Sequence, residues 1–131
     1  MTAAISSIGI SRLGQIAINV SDVDRAAAFY RDTFGLPFLF TTGTLAFFDC
    51  GGVRLMLSRP EKPEFDHPSS ILYFAVPDII SAHQEMLSRG VHFEDTPHLI
   101  AKMPTHDLWM TFFRDPEKNL LALMCEMPQA K

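Results

Sequence analysis

Five side chains in this sequence are of types that carry chemistry, and each also has a plainer structural use. His98 and His106 stand eight residues apart. A facing pair of imidazoles could act as general base and general acid near neutral pH, or hold a metal together with Glu126 or Asp107. The same histidines also read as turn features, because His98 follows Pro97 and the His106-Asp107 pair could cap a hairpin. Tyr73 could donate a hydrogen bond or a proton, or be an aromatic at the core edge. Arg54 could clamp a carboxylate or phosphate with its planar fork, or pair with a surface acid on a rim. Trp109, the single tryptophan, could be a platform for a planar ligand or a core residue. The remaining histidines, His67, His83 and His92, read as solvated.

The elements that must position these residues come in a repeat. Val20-Ser21-Asp22-Val23 and Val76-Pro77-Asp78-Ile79 each open a helical segment, 56 residues apart. Gly35 and Gly90, like Phe38 and Phe93, are 55 apart, whereas Phe47-Phe48 and Phe112-Phe113 are 65 apart. The second copy therefore carries an insertion of about ten residues, a change that loops tolerate. In the first copy Gln15 to Val20 alternates as a strand. Ser21 or Asp22 caps a helix bearing Ala26, Phe29, Tyr30 and Phe34, closed by Gly35. Leu36 to Phe40, Leu45 to Cys50 and Val53 to Ser58 follow as strands, with Gly51-Gly52 as a hairpin turn. In the second copy Ile71 to Val76 is a strand and Asp78 to Arg89 a helix closed by Gly90. Val91 to Phe93 starts the next strand, and then come His98 to Lys102, Asp107 to Arg114 and Asn119 to Glu126. This reads as βαβββ twice. The Pro-rich stretch Pro60 to Ser70 links the copies.

Composition bounds the partners. The chain has 131 residues, a net charge of −4, 47% hydrophobic and 20% charged residues, which is ordinary for one globular domain. Its 11 basic residues are scattered, so nucleic acid is not the expected partner. No apolar run approaches the ~20 residues of a membrane span. The first ten residues do not read as a secretion signal. Cys50 and Cys125 form no metal-binding spacing and read as reduced thiols in a cytoplasmic protein. Gly-rich phosphate loops and nucleophile elbows are absent.

A paired βαβββ module of this length resembles the vicinal oxygen chelate superfamily, which includes glyoxalase I, methylmalonyl-CoA epimerase, bleomycin- and fosfomycin-resistance proteins and extradiol dioxygenases. The resemblance runs from about Leu13 to Met127. It is carried by Ile18-Asn19-Val20-Ser21-Asp22, Phe29-Tyr30, Phe34-Gly35-Leu36, Gly51-Gly52-Val53-Arg54-Leu55-Met56-Leu57 and Phe113-Arg114-Asp115-Pro116-Glu117-Lys118-Asn119-Leu120. The last run is similar to the family's D-P-x-G-N turn, with Lys118 in the glycine place, where positive φ is expected. His98-Leu99-Ile100-Ala101-Lys102-Met103 and His106-Asp107-Leu108-Trp109-Met110 resemble a glyoxalase-like bacterial subgroup of unassigned reaction.

The resemblance implies an α+β fold: two βαβββ modules pairing into a cup-shaped half-barrel, in a single domain over 1–131. Module one spans about 13–59, the linker 60–70 and module two about 71–127. In the family a divalent metal, where present, is held at the bottom of the cup by residues of the first and last strands of each module. It stabilises an enediolate or related anion. Those positions fall on Gln15, Met56, Ile71 and Ala122, where only Gln15 offers an oxygen, so no metal or other cofactor is expected. The expected cup is lined by Gln15, Arg54, Met56, Tyr73, His98, Trp109, Ala122 and Met124. The implied function is binding of a small organic molecule without the full metal site. The alternative is a lyase, isomerase or dioxygenase that uses His98 and His106, with Tyr73, as acid-base groups or rebuilt ligands. A third reading is an interaction module whose cup is incidental. The expected partners are a small molecule and a second copy of the chain, with no nucleic acid and no membrane.

Overall fold

The computed structural model describes residues 8–10, 12–60, 62–63 and 66–129. Strand β1 (Gln15–Asn19) leads to helix α1 (Val23–Ala28). Asp22 caps α1, its carboxylate accepting from the Arg25 N–H at 3.0 Å. The helix then widens into a π-helical turn (Phe29–Thr33), in which the Phe34 N–H reaches the Phe29 carbonyl at 2.8 Å. Strands β2 (Phe38–Thr42), β3 (Leu45–Cys50) and β4 (Val53–Ser58) complete the first module. Gly51 and Gly52 both take positive φ, as the tight β3–β4 turn requires. The first sheet runs β1-β4-β3-β2, with β1 and β4 parallel and the other neighbours antiparallel.

The second module repeats the plan with β5 (Leu72–Ala75), α2 (Ile79–Ser88), β6 (His92–Phe93), β7 (His98–Lys102), β8 (His106–Arg114) and β9 (Leu120–Pro128). Its five-stranded sheet runs β5-β9-β8-β6, with β7 also on β8. The insertion splits one edge strand in two. β6 pairs with Phe113 and Arg114, and β7 with residues from Asp107 to Met110. Asp95 bridges the gap, its carboxylate accepting from the Phe112 N–H at 2.9 Å and the Thr111 hydroxyl at 2.7 Å. The ladder position left without a strand is thus satisfied by a side chain. His106 and Asp107, readable as a turn pair, instead open β8.

Both modules face one hydrophobic core. Ile18, Phe48, Leu55 and Leu57 reach it from the first sheet, Phe113, Leu121, Leu123 and Cys125 from the second, and Tyr30, Ile79 and Met86 from the helical segments. Phe34 lies edge-on to Phe74 at 4.8 Å and tilted against Phe113 at 5.5 Å, so the first helical segment packs on the second sheet. His83, expected in solvent, is buried on α2 against the Phe93 ring at 4.5 Å. Its apolar ring edge suits a helix face pressed onto β6.

The D-P-x-G-N-like turn ties the modules together. The buried Asp115 accepts from the Tyr30 hydroxyl at 2.7 Å and from the N–H groups of Glu117 and Asn119. Burial is the main cause that pushes the Tyr30 hydroxyl well above the usual phenol range, with the Asp115 charge and hydrogen bond adding to it. Lys118 takes φ 67°, as its place in the turn predicts.

Candidate open-face site

Strand alternation leaves each sheet with a second face, turned away from the shared core. Two buried apolar residues, Phe47 and Ala122, stand outside the core cluster. Each marks where an open face has its own local packing.

On the first sheet, Gln15 pairs with Arg54, and Arg54 with Asp49, while Ala17 pairs with Met56, and Met56 with Phe47. The neighbouring residues Ile16, Leu55, Leu57 and Phe48 pack on the core side. Arg54 Nε donates to Gln15 Oε1 at 2.7 Å. Arginine has no acceptor, which fixes the orientation of the Gln15 amide. Gln15 Nε2 then points at Met56 Sδ, 3.6 Å away. The Arg54 guanidinium carbon lies 5.1 Å from the centre of the Phe47 ring, and Phe40 covers Phe47 from β2 at 4.6 Å. Asp49, directly across the ladder from Arg54, accepts instead from the Gly52 N–H at 3.1 Å.

On the second sheet, Tyr73, Ala122 and Phe112 form one cross-strand row. The Tyr73 and Phe112 rings meet edge to face at 6.0 Å, and Ala122 between them has no exposed surface. The next row is Ala75, Met124, Met110 and His98. His98 Nδ1 lies 2.7 Å from the Thr96 carbonyl. A carbonyl only accepts, so that nitrogen carries a proton.

The predicted residues thus fall into three groups. Gln15, Arg54 and Met56 are brought into contact. Tyr73, Ala122, Met124 and His98 share the second sheet's open face. Trp109 does not join them: it pairs with Cys125 and packs against the common core. Odd-numbered positions of β8 point inward there, so the aromatic on the open face is Phe112. Nor are the two histidines brought together. His98 sits opposite Met110, four residues along β8 from His106, which is roughly 13 Å of strand. His106 Nδ1 contacts Thr105 Oγ1 at 2.8 Å. Among the described residues, no three His, Cys, Asp or Glu side chains cluster at metal-binding range.

The four positions where the family seats a divalent metal do not fit one. Gln15 Oε1 faces a guanidinium, which would repel a second cation. Met56 offers only a soft thioether. Ile71 has no donor atom, and Ala122 lies sealed under two rings. Sequence reasoning missed Phe40, Phe47 and Phe112, which line the open faces. The signal was the strand parity that places Phe47 with Met56 and Phe112 with Ala122. An apolar crevice of about 350 Å³ between the modules is lined partly by Ile16, Leu55, Leu72 and Phe74. Tyr73, from the second sheet's open face, lines it as well.

Comparison with known proteins agrees with this architecture. Residues 12–123 match the model of the Glyoxalase/Bleomycin resistance protein/Dioxygenase superfamily. The chain is 28% identical over 126 residues to the uncharacterized protein YraH of Bacillus subtilis, covering 86% of this chain and 96% of that one. Among solved structures, lactoylglutathione lyase from Agrobacterium tumefaciens superposes with a TM-score of 0.69 at 25% identity, covering 88% of this chain and 94% of that one. A superfamily member from Sphaerobacter thermophilus gives a TM-score of 0.74 at 24% identity, covering 89% and 98%. The matched residues and the two-sheet, two-helix fold lead to one conclusion: the chain belongs to the Glyoxalase/Bleomycin resistance protein/Dioxygenase superfamily.

Proposed function

We propose that the chain binds a small organic molecule on its open sheet faces, and that a second copy completes the cup. The observation that carries this reading is the shared core. Both sheets spend one face on it, while Gln15, Arg54 and Tyr73 remain exposed on the other. Large apolar side chains also stay exposed there and on the sheet edges, including Phe40, Tyr73 and Leu99 at 46%, 45% and 42%. Exposed apolar surface of this kind supports a partner or a ligand there. Placing one chain's first sheet beside another's second sheet would enclose a pocket lined by Met, Phe and Tyr. It would contain few groups able to do chemistry and would suit sequestration.

The two free cysteines are consistent with a reducing compartment such as the cytoplasm. Among the described residues, no helix is long and apolar enough to cross a membrane.

Two measurements test the proposal. Light scattering should give about twice the 14.7 kDa chain mass. Thermal denaturation against carboxylic acids, diketones, thioesters and aromatic antibiotics should show at least one class raising the melting temperature by mass action. A monomer indifferent to every class would contradict the reading. The catalytic alternative draws support from the likeness to lactoylglutathione lyase and from the His98 Nε2 lone pair that the Thr96 contact leaves open. It predicts turnover of a hemithioacetal that is lost in His98→Ala.

A further inference from the structure

We infer that the molecule taken by this site is a carboxylate on an apolar or aromatic body, and that the Arg54 guanidinium is its anchor. This rests on the small-molecule reading above and names the ligand class.

Arg54 is held from two sides before any ligand arrives. Its Nε is tied to Gln15 Oε1 at 2.7 Å, and its plane is carried over the Phe47 ring at 5.1 Å. Gln15 is itself steadied by its contact with Met56. Asp49, across the ladder, accepts from the Gly52 N–H through Oδ1, and among the described residues Arg54 forms no ion pair. Its two terminal amino groups have no hydrogen-bond partner among the described residues. With Nε occupied, the end-on pair of terminal N–H donors remains, spaced to meet the two oxygens of a planar carboxylate. The group is always charged and can only donate, so its complement is an anion that only accepts. Beside it the exposed Phe40 and the half-buried Met56, resting on the buried Phe47, give the rest of the ligand an apolar bed. Because the guanidinium is already oriented, binding loses less side-chain freedom than an unrestrained arginine would.

The test uses matched pairs: 3-phenylpropionate with its amide, octanoate with its amide, and 2-phenylethylphosphonate as a tetrahedral anion. Each is titrated calorimetrically into the full chain, into Arg54→Met and into Arg54→Lys. Arg54 is exposed, and circular dichroism checks that both variants fold. The expected result is that at least one acid binds about tenfold or more tighter than its amide. The preference should vanish in Arg54→Met and survive in part in Arg54→Lys. Equal binding of acid and amide, or a preference that persists in Arg54→Met, overturns the carboxylate assignment and leaves the small-molecule site standing. Tighter binding of the phosphonate than of 3-phenylpropionate also overturns it. If neither member of either pair binds, the carboxylate assignment fails, and the small-molecule reading fails with it only if the thermal-denaturation panel is silent as well.

Discussion

At Ala122 one small side chain decides what the second sheet's open face can do. It sits between Tyr73 and Phe112, whose rings meet above it. A larger residue there must part the rings or strain its own rotamer. Ala122→Leu should therefore cost about 1–3 kcal/mol of stability, measured by chemical denaturation. A neutral result would mean that the rings do not close over that position. Part of this was legible in the sequence, since the repeat register placed Ala122 and Met56 at equivalent positions. The ring contact was not, because it depends on which parity of β8 faces outward. The same ambiguity put Trp109 on the wrong face: polar residues fall on both parities of β8, Asp107 and Thr111 on one and His106 and Arg114 on the other. Arg54 was legible as a possible anion clamp. Its fixing by Gln15 and Phe47 came only with the β1–β4 and β3–β4 registers.

Among the elements, the turn after β8 does more than reverse the chain. Glu117 accepts hydrogen bonds from the N–H groups of Ser21 and Asp22, the Ser21 hydroxyl at 2.7 Å and the Arg25 guanidinium at 2.6 Å. It thus caps α1 from the other module, and its negative charge suits a helix N-terminus. Burial pushes the Glu117 carboxyl upward, but the hydrogen bonds from Ser21, Arg25 and Asp22 outweigh it and hold the group at about 2, below its ordinary 4.5. A carboxyl depressed in the folded state stabilises the fold above its unfolded value. That contribution is lost as pH falls from about 4.5 through about 2. Glu117→Gln should lower stability near neutrality by about 1.5–3 kcal/mol. It should also flatten the loss of stability across that acid window, as followed by denaturant midpoints against pH. Parallel pH profiles for the two proteins would contradict the capping role. No local pattern announces this cap, because its partner lies more than ninety residues away. By contrast, β3, β4 and β7 fall where alternation and turn residues predict them. Local chemistry fixes such elements, whereas the π-helical turn answers to packing.

Across the whole molecule, one core serves both sheets, and the consequence is that each sheet keeps an outward face. The duplicated order of elements, with its 55- and 56-residue offsets, made the two-module fold readable. The relation between the modules was not readable, since it is set by distant contacts such as Tyr30 with Asp115 and Phe34 with Phe74. The methionines report directly on a ligand at the open faces. Met56 and Met124 stand on the open faces, while Met86 is buried in the core on α2. Methyl-labelled methionine spectra should be recorded while 3-phenylpropionate and octanoate are added to the full chain. The Met56 and Met124 methyl signals should shift together and saturably while that of Met86 holds still. Shifts confined to Met86, or no saturable shift at Met56 and Met124, would contradict a ligand site on these faces.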